Sequence, residues 1–213
     1  MRLYTLSYSS KFMIGNGDMQ AFSPMDNDII KSLTKGFPTI NSSLIFELHK
    51  KAKLTNCLSQ GAIASGGFLV DKKIIDLFEN FKLIKHKYYS VEILGKKGEI
   101  INDYKWLQIE ENLVEEINYE KSVFYETDGV SIIGERKIDS FNWYKEKKDE
   151  KGWKFGMRAK SIVMQEGSKL SKIDLFRLLP FVHEIIISEK LKNAIERSGI
   201  TGFDIEEYNK ISW

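Results

Sequence analysis

The chain has 213 residues, 42 % of them hydrophobic and 29 % charged, and its 32 basic and 30 acidic residues give a net charge of +2. This length buries enough apolar surface to fold without disulfides or metals, and the balanced charge does not by itself predict a nucleic-acid partner. The single cysteine, Cys57, cannot pair within the chain, which is typical of a reducing compartment. The first residues lack the apolar core of a signal peptide, and no run of about 18 apolar residues predicts a membrane span, so we expect a cytoplasmic protein.

The N-terminal part of the chain predicts strands separated by loops. Three prolines and the lack of a Ser/Gly-rich linker favour one domain over residues 1–213, with a possible N-terminal subregion at residues 1–60. Residues 2–8 and 42–50 are predicted strands, and alternate apolar positions in the second strand share one face. Residues 28–35 are predicted to form a short helix.

Two later segments share one pattern of an apolar strand, a capped helix and a second strand. In the first, Asp71 precedes a predicted helix at residues 72–81; in the second, Ser188 precedes one at residues 189–198, and Gly199 ends it. We interpret them as two related strand-helix-strand units, although any amphipathic helix after a strand has this pattern. They predict an α+β fold with a largely antiparallel or mixed β-sheet and a few short helices.

The chain between these two units is predicted to be mostly strand. Asp128-Gly129 lies between two β-rich runs and predicts a two-residue hairpin turn. A second charged hairpin is predicted around residues 149–152, and residues 110–120 predict a short acidic helix with Leu113 and Ile117 facing inward.

A search for catalytic motifs finds none. The three histidines and the cysteine lie far apart in sequence, without the spacing of a metal site. The glycine-rich segments at residues 15–17 and 64–68 lack the strand-to-helix order of a phosphate-binding loop. Basic clusters are balanced by acidic ones, so no nucleic acid is expected as a partner. We therefore predict no catalytic residue, no metal and no cofactor, and we favour a binding protein.

Residues 173–208, IDLFRLLPFVHEIIISEKLKNAIERSGITGFDIEEY, carry a set of ordered motifs. The blocks DLFRL, SEKLK and GITGF resemble the C-terminal signature of family eleven of the bacterial polymorphic-toxin immunity proteins, formerly a domain of unknown function. The middle region is similar too, so the resemblance covers residues 69–208. It implies a protein that binds and neutralises a cognate toxin in the producing cell, without catalytic residues, and its motif residues look structural.

The resemblance directs attention to residues that a partner protein would contact. Tight interfaces use aromatic anchors, and Trp143, Tyr144 and Trp153 flank the predicted charged hairpin. Glu115 and Glu116 lie in the acidic stretch, where they would block the phosphate-binding groove of a nuclease toxin. Core packing is the alternative for each aromatic residue, and an ordinary solvated face is the alternative for the acidic pair.

Two other classes of function stay open. A small enzyme that reverses a toxin's modification would need a pocket in which His86 or His183 meets a carboxylate. A ligand- or nucleic-acid-binding domain would show salt-sensitive binding to generic RNA or DNA.

Overall fold

A computed structural model describes residues 1–14, 19–24, 27–33, 36–63, 66–110 and 113–213. The strands are β1 (Leu3–Tyr8), β2 (Ala21–Phe22), β3 (Leu44–Leu48), β4 (Cys57–Leu58), β5 (Gly67–Asp71), β6 (His86–Leu94), β7 (Ile100–Ile101), β8 (Tyr104–Ile109), β9 (Val123–Thr127), β10 (Ile132–Arg136), β11 (Gly156–Val163), β12 (Leu175–Leu178), β13 (Val182–Ser188), β14 (Phe203–Glu207) and β15 (Ile211–Ser212). The α-helices are α1 (Asn27–Ser32), α2 (Lys72–Phe78), α3 (Phe141–Lys151) and α4 (Glu189–Arg197).

The described strands form three sheets, which confirms the predicted α+β class. Their orders are β12-β13-β1-β14, β10-β9-β11-β15 and β2-β3-β6-β8-β5-β4, with β7 paired to β6. Most pairs are antiparallel, whereas β3 with β6 and β11 with β15 are parallel. The helices are short, so strand pairing is the main organising feature of the fold.

The two predicted strand-helix-strand units share the same topology. In the first, α2 joins β5 to β6, and both strands pair antiparallel with β8, which lies between them. In the second, α4 joins β13 to β14, and both strands pair antiparallel with β1. Each unit is a split β-α-β motif with one antiparallel strand in its centre. In the first unit, β4 pairs antiparallel with β5, and in the second, β12 pairs antiparallel with β13. Each sheet is thus extended beside the first strand of its unit.

A third split unit was not predicted. Helix α3 joins β10 to β11, and both strands pair antiparallel with β9. The prediction of a second hairpin around residues 149–152 is therefore wrong, because residues 141–151 are helical. Ser140 caps this helix by accepting a hydrogen bond from the backbone N–H of Trp143 at 3.2 Å.

The predicted caps of α2 and α4 are confirmed. The Asp71 carboxylate accepts a hydrogen bond from the backbone N–H of Ile74 at 3.1 Å, and the Ser188 hydroxyl accepts one from Leu191 at 3.2 Å. These bonds satisfy amide donors that the first turn of a helix leaves without partners. Gly199 follows α4 with φ +60°, a conformation that favours glycine.

The seven-stranded sheet separates two apolar clusters. Alternation along β5 sends Phe68 and Val70 into one cluster and Leu69 into the other. Trp106 and Leu107 in β8 are divided in the same way. The larger cluster reaches across all three split units, whereas the smaller one includes buried residues of the first sixty positions, among them Leu33, Leu44, Phe46, Leu48, Ala52 and Leu58.

Other local predictions have mixed outcomes. The hairpin at Asp128-Gly129 is confirmed, but its loop has four residues between β9 and β10 rather than two. The predicted acidic helix is only a 3-10 turn, Val114–Glu116, with Ile117 buried and Leu113 half-buried. Residues 111–112 of that prediction lie outside the described residues. So do residues 34–35 of the predicted N-terminal helix, and residues 15–17 and 64–65 of the two glycine-rich segments.

Candidate functional site: an exposed apolar edge

Large apolar side chains are exposed together around strand β10. Val130 is 83 % exposed, Ile132 55 %, Ile133 60 % and Trp153 71 %. β10 is the end strand of its sheet, and all five of its residues are exposed. The register with β9 shifts between Ile132 and Gly134, which marks a bulge. We call Val130, Ile132, Ile133 and Trp153 the β10 edge surface.

The loop between β9 and β10 holds this surface in a defined shape. The Asp128 carboxylate accepts hydrogen bonds from the backbone N–H of Ser131 at 2.7 Å and of Val130 at 3.0 Å. These two bonds hold the pKa of Asp128 below its ordinary value. Gly129 has φ +94°, and a Cβ there would come within 2.5 Å of the Trp153 carbonyl oxygen. Trp153 therefore lies directly against the loop.

Basic residues follow β10 in the sequence, and one of them lies against Trp153. Residues 126–160, which include the whole surface, contain nine Lys/Arg and seven Asp/Glu, a net charge of +2. The buried Glu126 carboxylate pairs with Arg136 and with Lys151. The Lys154 ammonium lies 5.8 Å from the centre of the Trp153 ring. Exposed basic side chains thus lie near the apolar strand, while the acidic Glu126 and Glu135 are held in ion pairs.

The aromatic residues predicted as exposed anchors differ in burial. Trp153 is exposed, but Trp143 is half-buried, with its ring 6.2 Å from Phe155 and the Arg136 guanidinium 5.6 Å away. Tyr144 is only 7 % exposed and belongs to the larger cluster, so the expectation of an exposed anchor is wrong for this residue. Helix α3 turns Tyr144 toward the sheet, which a projecting hairpin would not have done.

The remaining tryptophans also separate by burial. Trp106 is completely buried in β8, and its indole N–H donates a 2.7 Å hydrogen bond to Gln108. Trp213 is 42 % exposed and follows β15, which pairs with β11 at Ile162 and Val163. Trp153 lies beyond the opposite end of β11, so the two exposed tryptophans lie at opposite ends of that strand.

The structure does not bring Glu115 and Glu116 to the β10 edge surface. The carbonyl oxygens of both residues accept hydrogen bonds from Gln165, which follows the end of β11 remote from Trp153. An eight-residue strand spans roughly 25 Å at about 3.3 Å per residue. Glu115 is exposed, whereas the Glu116 carboxylate accepts the backbone N–H of Lys169 at 2.9 Å. Part of the acidic pair therefore has a structural partner.

The motif residues Asp174 and Arg177 join the second split unit to the first. The Asp174 carboxylate accepts hydrogen bonds from the Ser188 hydroxyl at 2.7 Å and from the backbone N–H of Lys82, between α2 and β6, at 3.0 Å. Arg177 Nη1 donates to the carbonyl of Ile109 at 3.3 Å. A Cβ at Gly66 would overlap the Arg177 guanidinium. These residues position two sheets against each other.

Thr201 and Gly202 complete this contact. The backbone N–H of Thr201 donates to the Asn56 side chain at 2.8 Å, and its carbonyl accepts the N–H of Cys57 at 3.0 Å. Gly202 has φ +99°, and a Cβ there would overlap the Cys57 carbonyl. We call Asp174, Arg177, Thr201 and Gly202, with their partners, the inter-unit seam.

A depression of about 310 Å³ contains His183, one of the two histidines considered for an enzymatic function, and does not contain His86. His183 and Glu184 line it together with Arg158 and Tyr208. Burial, with a contribution from Glu184, raises the pKa of Tyr208 above its ordinary value. Within the described residues, no group of three or more His, Cys, Asp and Glu side chains could hold a metal ion. Nor is any helix in this part of the chain long and apolar enough to cross a membrane.

The sequence pattern missed three of the four residues of the β10 edge surface. Val130, Ile132 and Ile133 belong to the run VSII after Asp128-Gly129, which predicted a strand without indicating its position in a sheet. Three β-branched residues near a hairpin turn are an equally good signal for a covered strand. Only the strand order places them at an edge.

The comparisons with known proteins agree with the motif resemblance and extend it. No curated protein matches the chain. The model of the Immunity protein family (Imm11) matches residues 14–210, which is nearly the entire chain. This match reaches well beyond the region that carries the motif resemblance, and it includes the β10 edge surface and the inter-unit seam. The chain therefore belongs to the Imm11 family of immunity proteins.

Proposed function

We propose that this protein protects the cell that makes it by binding a cognate toxin directly and blocking it. The family match supports a toxin-neutralising role. The exposed β10 edge surface supports direct binding, because exposed apolar side chains concentrated in one region and rimmed by polar residues mark sites of protein association. The toxin would belong to a polymorphic toxin system used in competition between bacteria, and the complex would form in the cytoplasm without nucleic acid.

Trp153 is the proposed central anchor of the complex. Its side chain is 71 % exposed although it packs against the loop at Gly129. Interfaces draw most of their binding energy from a few aromatic and arginine residues surrounded by weaker contacts. Val130, Ile132 and Ile133 would supply the surrounding apolar area, and Trp143 would contribute through its exposed part.

The test is protection from the toxin domain encoded beside this gene. Cells producing that domain should grow only when the protein is produced too. The Trp153→Ala variant should lose at least about 2 kcal/mol of binding free energy, or roughly 30-fold in affinity, as expected for an aromatic anchor. Trp213→Ala is the matched control, since it removes another exposed tryptophan at the far end of β11. Equal protection by both variants would contradict the proposed anchor.

Glu115 and Glu116 provide a second, separate prediction. If they contact the toxin, Glu115→Gln should slow association most strongly at low salt, since exposed charges steer encounter. Glu115 is the better probe because the Glu116 carboxylate also binds the Lys169 backbone. An unchanged association rate would remove the pair from the interface without affecting the role of Trp153.

The enzymatic alternative is assigned to the depression that contains His183. Loss of protection in His183→Ala, with toxin binding retained, would favour an enzyme over a blocking protein. Salt-sensitive binding of generic RNA or DNA would favour the third class instead. We propose that neither effect occurs.

A further inference from the structure

We infer that β10 binds its partner by strand addition, and that the partner contributes an extended strand flanked by acidic side chains. This inference rests on the proposed function and specifies how the toxin would be held. In strand addition, main-chain hydrogen bonds supply affinity and the side chains beside them supply specificity.

β10 differs from the other strands at the ends of the three sheet orders. β2, β4 and β15 have two residues each. β12 is largely buried, and the carbonyl of its Leu175 already accepts a hydrogen bond from Ile84. β14 carries Asp204, Glu206 and Glu207, and charged side chains are a common protection for an edge. β10 has five exposed residues and begins with two isoleucines, and its charged residues, Glu135 and Arg136, occupy only the last two positions and are paired with Lys160 and Glu126.

The backbone of β10 offers hydrogen-bonding groups for a further strand. Among the described strands it pairs only with β9. In an antiparallel pair, alternate residues direct their N–H and C=O groups away from the partner strand, so one edge of β10 remains available. A Cβ at Gly134 would meet no atom within 4 Å, so the face of the strand is uncovered at this residue.

The site is organised before binding. Asp128 fixes the loop through two backbone hydrogen bonds, and Trp153 packs against Gly129 in that loop. Ordering loops and side chains is one of the costs of association, and a preformed site lowers this cost. A strand can therefore add to β10 without rearrangement of the hairpin.

The charge around β10 indicates an acidic partner. The acidic residues nearest the strand are already paired, Glu126 with Arg136 and Lys151, and Glu135 with Lys160. Lys137, Lys154 and Arg158 are exposed, and within the described part of the chain they form no ion pair. Pairing of β10 with a second copy would bring the exposed basic side chains of both copies together, which like-charge repulsion opposes. An acidic strand would instead meet complementary charge.

The decisive measurement is amide hydrogen exchange in the complex. The probe is the toxin domain encoded beside this gene, with its catalytic residue substituted, bound to the full-length protein. Amides of residues 132–136 that exchange rapidly in the free protein should slow at least tenfold when the toxin binds, because hydrogen-bonded amides are protected. Tight binding without this slowing would overturn strand addition and leave the proposed function intact, whereas failure of the wild-type protein to bind would overturn the proposed function itself.

Two pairs of variants separate the edge from its charge. Ile133→Lys should reduce affinity at least tenfold, since lysine on an edge strand opposes pairing. Ile45→Lys is its control, because Ile45 is an exposed isoleucine of β3, a strand in a different sheet. The double variant Lys137→Glu with Lys154→Glu should slow association about tenfold at low salt, while the control Lys50→Glu with Lys53→Glu should not. If Ile133→Lys and Ile45→Lys had equal affinities, strand addition at β10 would be overturned. If the two lysine double variants had equal association rates, the acidic partner would be overturned.

Other occupants of β10 give distinct results. A dimer of the free protein in sedimentation experiments that Ile133→Lys abolishes would assign the edge to a second copy and overturn the inference. Binding of a random-sequence RNA or DNA that requires Lys137 and Lys154 would overturn the acidic-protein partner in the same way.

Discussion

The inter-unit seam and the β10 edge surface differ in almost every physical respect. In the seam, Asp174 and Thr201 bind partners from the other split unit, and Gly202 closes against the Cys57 backbone. At the edge, β10 lacks a second strand partner among the described residues, and Trp153 is mostly exposed. The seam residues belong to the blocks DLFRL and GITGF, which carry the resemblance to the family, whereas the edge lies outside those blocks.

This contrast explains why the recognisable motif and the proposed function occupy different places. A residue that must bond a particular backbone atom, or that must lack a Cβ, tolerates few substitutions, so its type identifies the fold. A contact residue must match the partner, so its type is free to differ between toxins. Six variants, two of them controls, and an acid titration test this division, beginning with the largest expected effect.

Gly202→Ala should destabilise the fold most. The new Cβ would overlap the Cys57 carbonyl at a residue with φ +99°, so the backbone must move. We expect a loss of about 3 to 5 kcal/mol in the free energy of unfolding, measured by urea denaturation. Gly199→Ala is the matched control, with φ +60° but nothing within 4 Å of the added Cβ, and should cost about 1 to 2 kcal/mol.

Equal losses in these two glycine variants would show that the seam is not tightly closed. The same experiment examines the proposal that residues 1–213 form one domain. Unfolding should then follow a single transition by both tryptophan fluorescence and circular dichroism. Two separate transitions would instead divide the N-terminal subregion from the remainder.

Tyr144→Ala and Trp153→Ala should have opposite effects. Tyr144 packs against Phe155 and Phe181, with ring centres 5.7 and 5.3 Å away, so its truncation should cost about 3 kcal/mol of stability. Trp153→Ala should change stability by less than about 0.5 kcal/mol while weakening toxin binding by roughly 30-fold or more. Thermal unfolding and toxin affinity, measured on the same samples, compare the two. A strongly destabilised Trp153→Ala protein would make this residue part of the core.

Asp174→Ala should have an intermediate effect. The substitution removes the hydrogen bonds from Ser188 and from the Lys82 backbone. Because hydrogen bonds to charged groups are stronger than neutral ones, we expect the free energy of unfolding to fall by about 1.5 to 3 kcal/mol. Asp76→Ala is the control, since its exposed pair with Lys72 within α2 should contribute less than about 0.5 kcal/mol. Chemical denaturation measures both. Similar values for the two aspartates would mean that the seam contributes no more than a surface ion pair.

Acid pH should produce the smallest effect. Backbone hydrogen bonds from Ser131 and Val130 lower the pKa of Asp128 from its ordinary value of 3.8. The ionised form is therefore favoured in the folded loop, and its stabilisation is present above pH 3.8 and lost as the pH falls through the lowered pKa. Carboxyl titration by NMR, with Trp153 fluorescence as a local readout, should report this change. A measured pKa of Asp128 at or above its ordinary value would contradict the two backbone hydrogen bonds in the loop.

The local elements with clear caps and apolar spacing were predictable from the sequence. Asp71 and Ser188 start their helices, and Gly199 ends α4, because each residue acts on its immediate neighbours. Helix α3 escaped prediction because its sequence, FNWYKEKKDEK, is charged on nearly all sides and lacks a clear apolar stripe. Its stability comes from Phe141 and Tyr144, which stack at 5.8 Å and pack against the sheet.

The candidate site depended on the sheet order more than on composition. The sequence by itself determined the α+β class, the capped units and the motif that identifies the family, because these follow from local propensity and residue type. The tertiary structure alone decided that Tyr144 is buried, that Asp174 meets Lys82, 92 residues away, and that Ile132 and Ile133 lie at an open edge. Exposure and long-range hydrogen bonds depend on which strands become neighbours, and strand neighbours are set by the packing of the entire chain.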